Sequence, residues 1–277
     1  MIRRVASAAV AVVLVAGCGT ATVTPSPSPA PTVPPKPSTT ATVVPSAPPT
    51  PESTAAASPV PLPQGSEAVV LDPALFAGVA IDNPYWPLAR GSHWVYSEDD
   101  GEGNVNRVEV TVLDETKEIV GIQATVVHDV VSLDGEILED TFDWYAQDTF
   151  GNVWYMGEDT KELENGKVTS TEGSWLAGVD GAQAGVIMPA EPQVGMAYRQ
   201  EWYTGHAEDT AEVVSLDASV TVPAGAYTNL LKTREHTALE PDVVEEKLYA
   251  KGVGEVAATQ TAGGTSIEKL LEFTPGG

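Results

Sequence analysis

The chain has 277 residues, with 39 acidic against 14 basic side chains, a formal net charge of −25 and one cysteine. A charge excess of that sign repels nucleic acid and anionic lipid headgroups. Past the lone thiol at Cys18, disulfides, zinc–thiolate sites and iron–sulfur clusters are excluded. In chain order, Arg3 and Arg4 come first, then an uncharged apolar run from Val5 to Val15, then the small residues Ala16 and Gly17 before Cys18. These are the three parts of a secretory leader. The run is shorter than the roughly 20 apolar residues a transmembrane helix needs.

The ending Val15-Ala16-Gly17-Cys18 resembles a bacterial lipobox. The resemblance implies that residues 1–17 are a cleaved signal peptide and that Cys18 is the lipidated N-terminus. It also implies a cell-membrane location, lipid-anchored and facing the extracytoplasmic side. Residues 18–65 are then a tether of Pro, Ser, Thr, Ala and Val, with Lys36 and Glu52 its only charges. Prolines at close intervals exclude helix and interrupt sheet pairing. A solvated, largely polyproline II spacer is expected, reaching up to roughly 140 Å at about 3.1 Å per residue.

Residues 66–277 hold 11 basic and 38 acidic side chains, a net charge of −27, and enough chain for one sizeable core. The domain opens with Asp72-Pro73-Ala74-Leu75-Phe76 and then Asn83-Pro84-Tyr85-Trp86-Pro87-Leu88, an aromatic arm expected to lie across the edge of the fold. Trp94 and Tyr96 alternate next, and Arg107 to Val112 has a clean period of two with its valines inward. Further strand candidates are 119–131, 137–147, 152–164, 167–171, 196–203, 207–216, 219–222, 229–237, 244–250, 255–261 and 265–273. Asp134-Gly135, Asn165-Gly166 and Gly263-Gly264 supply turn chemistry between them. Only 172–195 reads as a long irregular loop. The predicted fold class is therefore all-β: a single antiparallel domain of roughly ten or more strands, forming a curved sheet or a closed or half-closed barrel.

The Tyr85-Trp86-Pro87-Leu88 and Trp94-Val95-Tyr96 stretches, with Thr141 to Asp148, Val222-Pro223-Ala224-Gly225 and Tyr249 to Gly254, are similar to those of uncharacterised β-rich extracytoplasmic bacterial domains. That resemblance implies a β-rich envelope lipoprotein and brings no activity with it.

The hairpin between 119–131 and 137–147 admits two registers. A two-residue Asp134-Gly135 turn sets Asp129 against Asp140. A three-residue loop pairs 130 with 138 and 128 with 140, and burial favours it. One face then carries Ile122, Ala124, Val126, His128 and Val130 against Leu138, Asp140, Phe142, Trp144 and Ala146, and it is read as the core face. On it His128 and Asp140 form a buried polar pair. Gln123, Thr125, Asp129, Glu139, Thr141 and Asp143 are assigned to solvent.

No catalytic or metal-binding motif stands out, and no cofactor is predicted. Glu98 to Asn104 has the composition of a calcium loop without the EF-hand alternation, and it reads as a solvated acidic turn. The expected function is non-catalytic: a module that binds an apolar or aromatic ligand, or an envelope protein partner. The candidate ligand-binding residues are Phe142, Trp144, Tyr155, Tyr198 and Trp202. The alternative is an envelope hydrolase using clustered carboxylates with His128.

Overall fold

The computed structural model describes residues 61–277, so the leader, Cys18 and the tether up to residue 60 lie outside the described residues. Fifteen strands follow one short 3-10 turn at Pro73–Leu75. The first five, β1 (His93–Asp99), β2 (Val105–Ile119), β3 (Ile122–Leu133), β4 (Glu136–Gln147) and β5 (Val153–Glu164), form a meander. Three short strands pair with β5: β6 (Lys167–Ser170), β7 (Trp175–Leu176) and β8 (Gln183–Met188). After β9 (Ala197–Arg199) and β10 (Glu201–Trp202) comes a second meander: β11 (Asp209–Val222), β12 (Gly225–Thr237), β13 (Val244–Ala250), β14 (Gly254–Ala262) and β15 (Ile267–Thr274). All pairings are antiparallel, and the all-β expectation holds.

Two seams join the meanders into a nearly closed barrel. At one seam β1 pairs with β15, placing His93 opposite Thr274. At the other, the short run 197–202 crosses from one meander to the other: β9 pairs with β11, and one residue later β10 pairs with β8. The crossing needs a close approach, which explains Gly185. A Cβ on it would collide with the backbone carbonyl of Gln200. Arg199, wholly buried, fastens the same seam. Its guanidinium donates to the carbonyl oxygens of Gly65, Glu67 and Ala184, and its backbone N–H donates to Pro63 at 2.7 Å. The docked part of the chain thus begins before residue 66, where composition alone put the boundary.

The strands 183–188 and 175–176 fall inside the stretch expected to be an irregular loop. Their apolar run is short and broken by Gly185, a residue that weakens a strand pattern and is required here by the crossing backbone. A turn was also missed at Val120-Gly121, where both residues take positive φ (45° and 82°) and end β2.

The β3–β4 hairpin corrects the expected register. Its turn is the two-residue Asp134-Gly135, with φ of 51° and 86°, and Ser132 pairs with Ile137. A bulge between Val131 and Ser132 then shifts the pairing by one, so Val130 meets Asp140 and His128 meets Phe142. The bulge restores the parity of the expected register, so the membership of each face is right. The assignment of the odd-numbered face to solvent holds for Gln123, which is exposed, and fails further along the face. Thr141 and Asp143 are buried and point with Tyr145 into the barrel, because the barrel interior is polar as well as apolar and supplies them with partners.

Candidate functional site

The aromatic arm seals one end of the barrel. Gln147 Oε1 accepts from the backbone N–H groups of Asp82 and Asn83, and Asn83 Nδ2 donates to the carbonyls of Gly151 and Pro189, all at 2.9–3.0 Å. Gly252 N–H donates to Pro84 O at 2.7 Å. Held from both meanders, the arm places the Trp86 ring 5.6 Å from Tyr145 and 5.9 Å from Tyr249.

Beneath it lies a cavity of about 120 Å³. Its aromatic lining is Trp86, Trp94, Tyr96 and Tyr145, and Val110, Val127 and Ile187 add aliphatic surface. The polar ends of two rings are spent on backbone: Trp94 Nε1 donates to Val253 O at 2.7 Å and Tyr96 Oη to Glu255 O at 3.2 Å. The indole nitrogen of Trp86 is buried and, among the described residues, meets no hydrogen-bond acceptor. Six carboxylates line the same cavity, from Glu98, Asp129, Asp143, Glu245, Glu255 and Glu268, against the single ammonium of Lys247.

Lys247 lies 3.3 Å from Glu235 and 3.4 Å from Glu245. Burial works to discharge it, but Glu235, Glu245, Glu255 and Glu268 outweigh that effect and hold its pKa well above the usual lysine range. Glu235 shows the reciprocal effect. Burial pushes its carboxyl up, but the Lys247 charge, with hydrogen bonds from Thr233 and Gln200 among the further contributions, brings its pKa down to about 2. Thr233 Oγ1 and Tyr249 Oη also donate to Glu235, at 2.8 and 3.2 Å. Glu245 is raised, because burial there exceeds the help from Lys247.

The far end of the interior is different. A smaller space of about 60 Å³ is lined by Glu139, Glu158, Glu162, Glu201, Asp209 and His206, among others, and no lysine or arginine. Burial pushes the carboxyls of Glu158 and Glu201 well above the usual range, and the charges of Glu201 on Glu158 and of Asp209 on Glu201 push the same way. Trp175 Nε1 donates to Glu201 at 2.8 Å.

The chain is similar to two solved bacterial proteins. One is a Bacteroides fragilis protein described as exported, with a YmcC-like fold, at 16% identity and a TM-score of 0.42 over 68% of this chain and 98% of that one. The other is a Parabacteroides distasonis protein described as a lipoprotein, at 14% identity and a TM-score of 0.38 over 68% of this chain and 97% of that one. No family model matches the chain, and no curated protein matches it.

The five aromatic residues expected to share a concavity are divided between the two faces of the sheet. Tyr155 and Tyr198 point inward and are fully buried, and Tyr155 Oη donates to Asp143 at 2.6 Å. Phe142, Trp144 and Trp202 are on the outer face. Phe142 stacks on His128 at 4.4 Å, Lys117 sits 3.2 Å over the Trp144 ring, and Trp202 is half-buried beside the inward Glu201. Trp154 shares the face of Trp144 and is covered by Phe76 of the arm. His128 and Asp140 do meet, at 2.6 Å, diagonally and on the outer face, with about a third of each side chain exposed. The residues that line the cavity were visible in the sequence as the aromatic arm and the Trp94–Tyr96 alternation. The carboxylates around them were not, since inward acids are indistinguishable from solvated ones in a chain this acidic.

Proposed function

We propose that this chain is a membrane-anchored extracytoplasmic lipoprotein, tethered through Cys18, and that its barrel is a non-catalytic module binding a small ligand in the cavity under the aromatic arm. The observation that carries this reading is the cavity itself: a concave space inside a rigid scaffold, walled by four aromatic rings and furnished with convergent polar groups. The leader and the lipobox resemblance support the anchor. A barrel interior packed wall to wall would instead favour a purely structural role.

Two experiments test it. Cys18→Ser is expected to release the protein from the membrane fraction, and retention of the whole population there overturns the anchor. For the ligand, the indole N–H signals of Trp86 and Trp94 are followed by NMR in the full-length protein while small-molecule extract of the source cells' envelope is titrated in. A saturable shift of both signals is expected. Signals that stay fixed over the whole titration overturn the ligand-binding reading.

A further inference from the structure

We infer that the ligand of this cavity is a small organic cation, an alkylammonium compound. The inference rests on the ligand-binding reading above and assigns its chemistry.

Charge excludes the first class. Six carboxylates face one ammonium across the cavity lining, and that ammonium is already ion-paired with Glu235 and Glu245. An anion entering this space meets a negative field with no free cation to hold it. A cation gains from the same field, and it gains more in a desolvated space than at a surface.

The aromatic walls decide between kinds of cation. A bare metal ion takes its stability from oxygen ligands at fixed short distances, and among the described residues no three His, Cys, Asp or Glu side chains are grouped to hold one. An alkylammonium group has diffuse charge and an apolar surface. It is attracted by the negative faces of Trp and Tyr rings, as in aromatic cages for quaternary ammonium. Trp86, Trp94, Tyr96 and Tyr145 supply such walls, with Glu245 and Asp143 among the carboxylates beside them.

Size closes the description. About 120 Å³ is close to the roughly 150 Å³ that accommodates benzene in an engineered cavity, so the ligand has about as many heavy atoms.

Choline, ethanolamine and tetramethylammonium serve as probes, with 3,3-dimethylbutan-1-ol as the uncharged twin of choline, all titrated against the full-length protein while the Trp86 indole signal is read. Choline is expected to bind at least tenfold more tightly than its uncharged twin. Glu245→Gln should remove about tenfold of choline affinity at unchanged circular dichroism. Equal binding of choline and its uncharged twin overturns the cation while leaving the cavity as a ligand site. Silence of all the ammonium probes together with a shift from cell extract also overturns the cation alone. Silence in both titrations overturns the ligand-binding reading beneath it.

Discussion

Glu235 and Glu201 are both glutamates sealed inside the same barrel, and their chemistry runs in opposite directions. Glu235 has Lys247 at 3.3 Å and stays ionised down to about pH 2. Glu201 has Asp209 and Glu158 near it, and its carboxyl is held in the acid form well above the usual range. Depth is common to the two sites, so burial alone does not decide the state of a carboxyl here. The partners do: Lys247, helped by hydrogen bonds such as that from Thr233, overcomes the desolvation penalty at Glu235, whereas the charge of Asp209 adds to it at Glu201.

The sharpest way to break this contrast is Lys247→Met, which leaves Glu235 and Glu245 indoors without their ammonium. A loss of about 3–5 kcal/mol is expected in urea unfolding followed by tryptophan fluorescence. The acid limb should change as well. Glu235 has a folded pKa below its ordinary value of 4.5, so the stability it brings is present above pH 4.5 and is lost as pH falls towards 2. In the variant that loss should disappear. A cost below about 1 kcal/mol would show that Lys247 is not what holds the carboxylates.

Asp143→Ala comes next. It strips the buried Tyr155 hydroxyl of its 2.6 Å acceptor and should cost about 1–3 kcal/mol in the same assay.

Glu201→Gln should act in the opposite sense, because the amide can still accept from Trp175 and offer a donor towards Asp209. A raised folded pKa means that the stability of the acid form is complete below pH 4.5 and is lost as pH rises through the folded value. The variant should therefore match the wild type near pH 4 and melt higher at neutral pH, by about 2–4 °C for each kcal/mol gained. A variant that melts lower at pH 7 contradicts the acid form of Glu201.

Smallest is Asp140→Ala on the outer face. With His128 and Asp140 each about a third exposed, water screens the pair, and a cost of about 0–1 kcal/mol is expected. Sequence reasoning would have ranked Asp140 above Asp143, and the ratio of the two costs tests the inward assignment of the odd-numbered face directly.

That reversal shows what was legible beforehand. Strand alternation at 107–112, turn pairs at Asp134-Gly135 and Asn165-Gly166 and the close succession of strand candidates were enough for an antiparallel all-β fold. The parity of β3 against β4 was legible too. The bulge at Val131/Ser132 was not, because an extra residue in a strand leaves no mark in a period-two pattern. Which face points inward was misread for a physical reason. Choosing the more apolar face assumes an apolar core, and this core holds Asp143, Glu158, Glu201, Glu235 and Lys247. The site was legible only in its aromatic half. Trp86, Trp94 and Tyr96 stand out by type and spacing, whereas the carboxylates that complete the cavity come from β1, β3, β4, β13, β14 and β15, and only the closed barrel brings them together.

The clasp at Arg199 has a consequence for the order in which the barrel assembles. Each meander is made of hairpins between neighbours in sequence and can zip locally, whereas the bond from Arg199 to Gly65 spans 134 positions and the pairing of β1 with β15 joins the two ends of the domain. Contacts of such separation are entropically expensive until the rest of the chain is already in place. The seams should therefore close last, and the exposed edges of β8, β11, β1 and β15 are the surfaces a half-folded chain presents to its neighbours. Refolding yield should fall with protein concentration, and replacing Arg199 with Lys, which cannot reach three carbonyls in the same fork, should lengthen the vulnerable interval before it weakens the finished barrel.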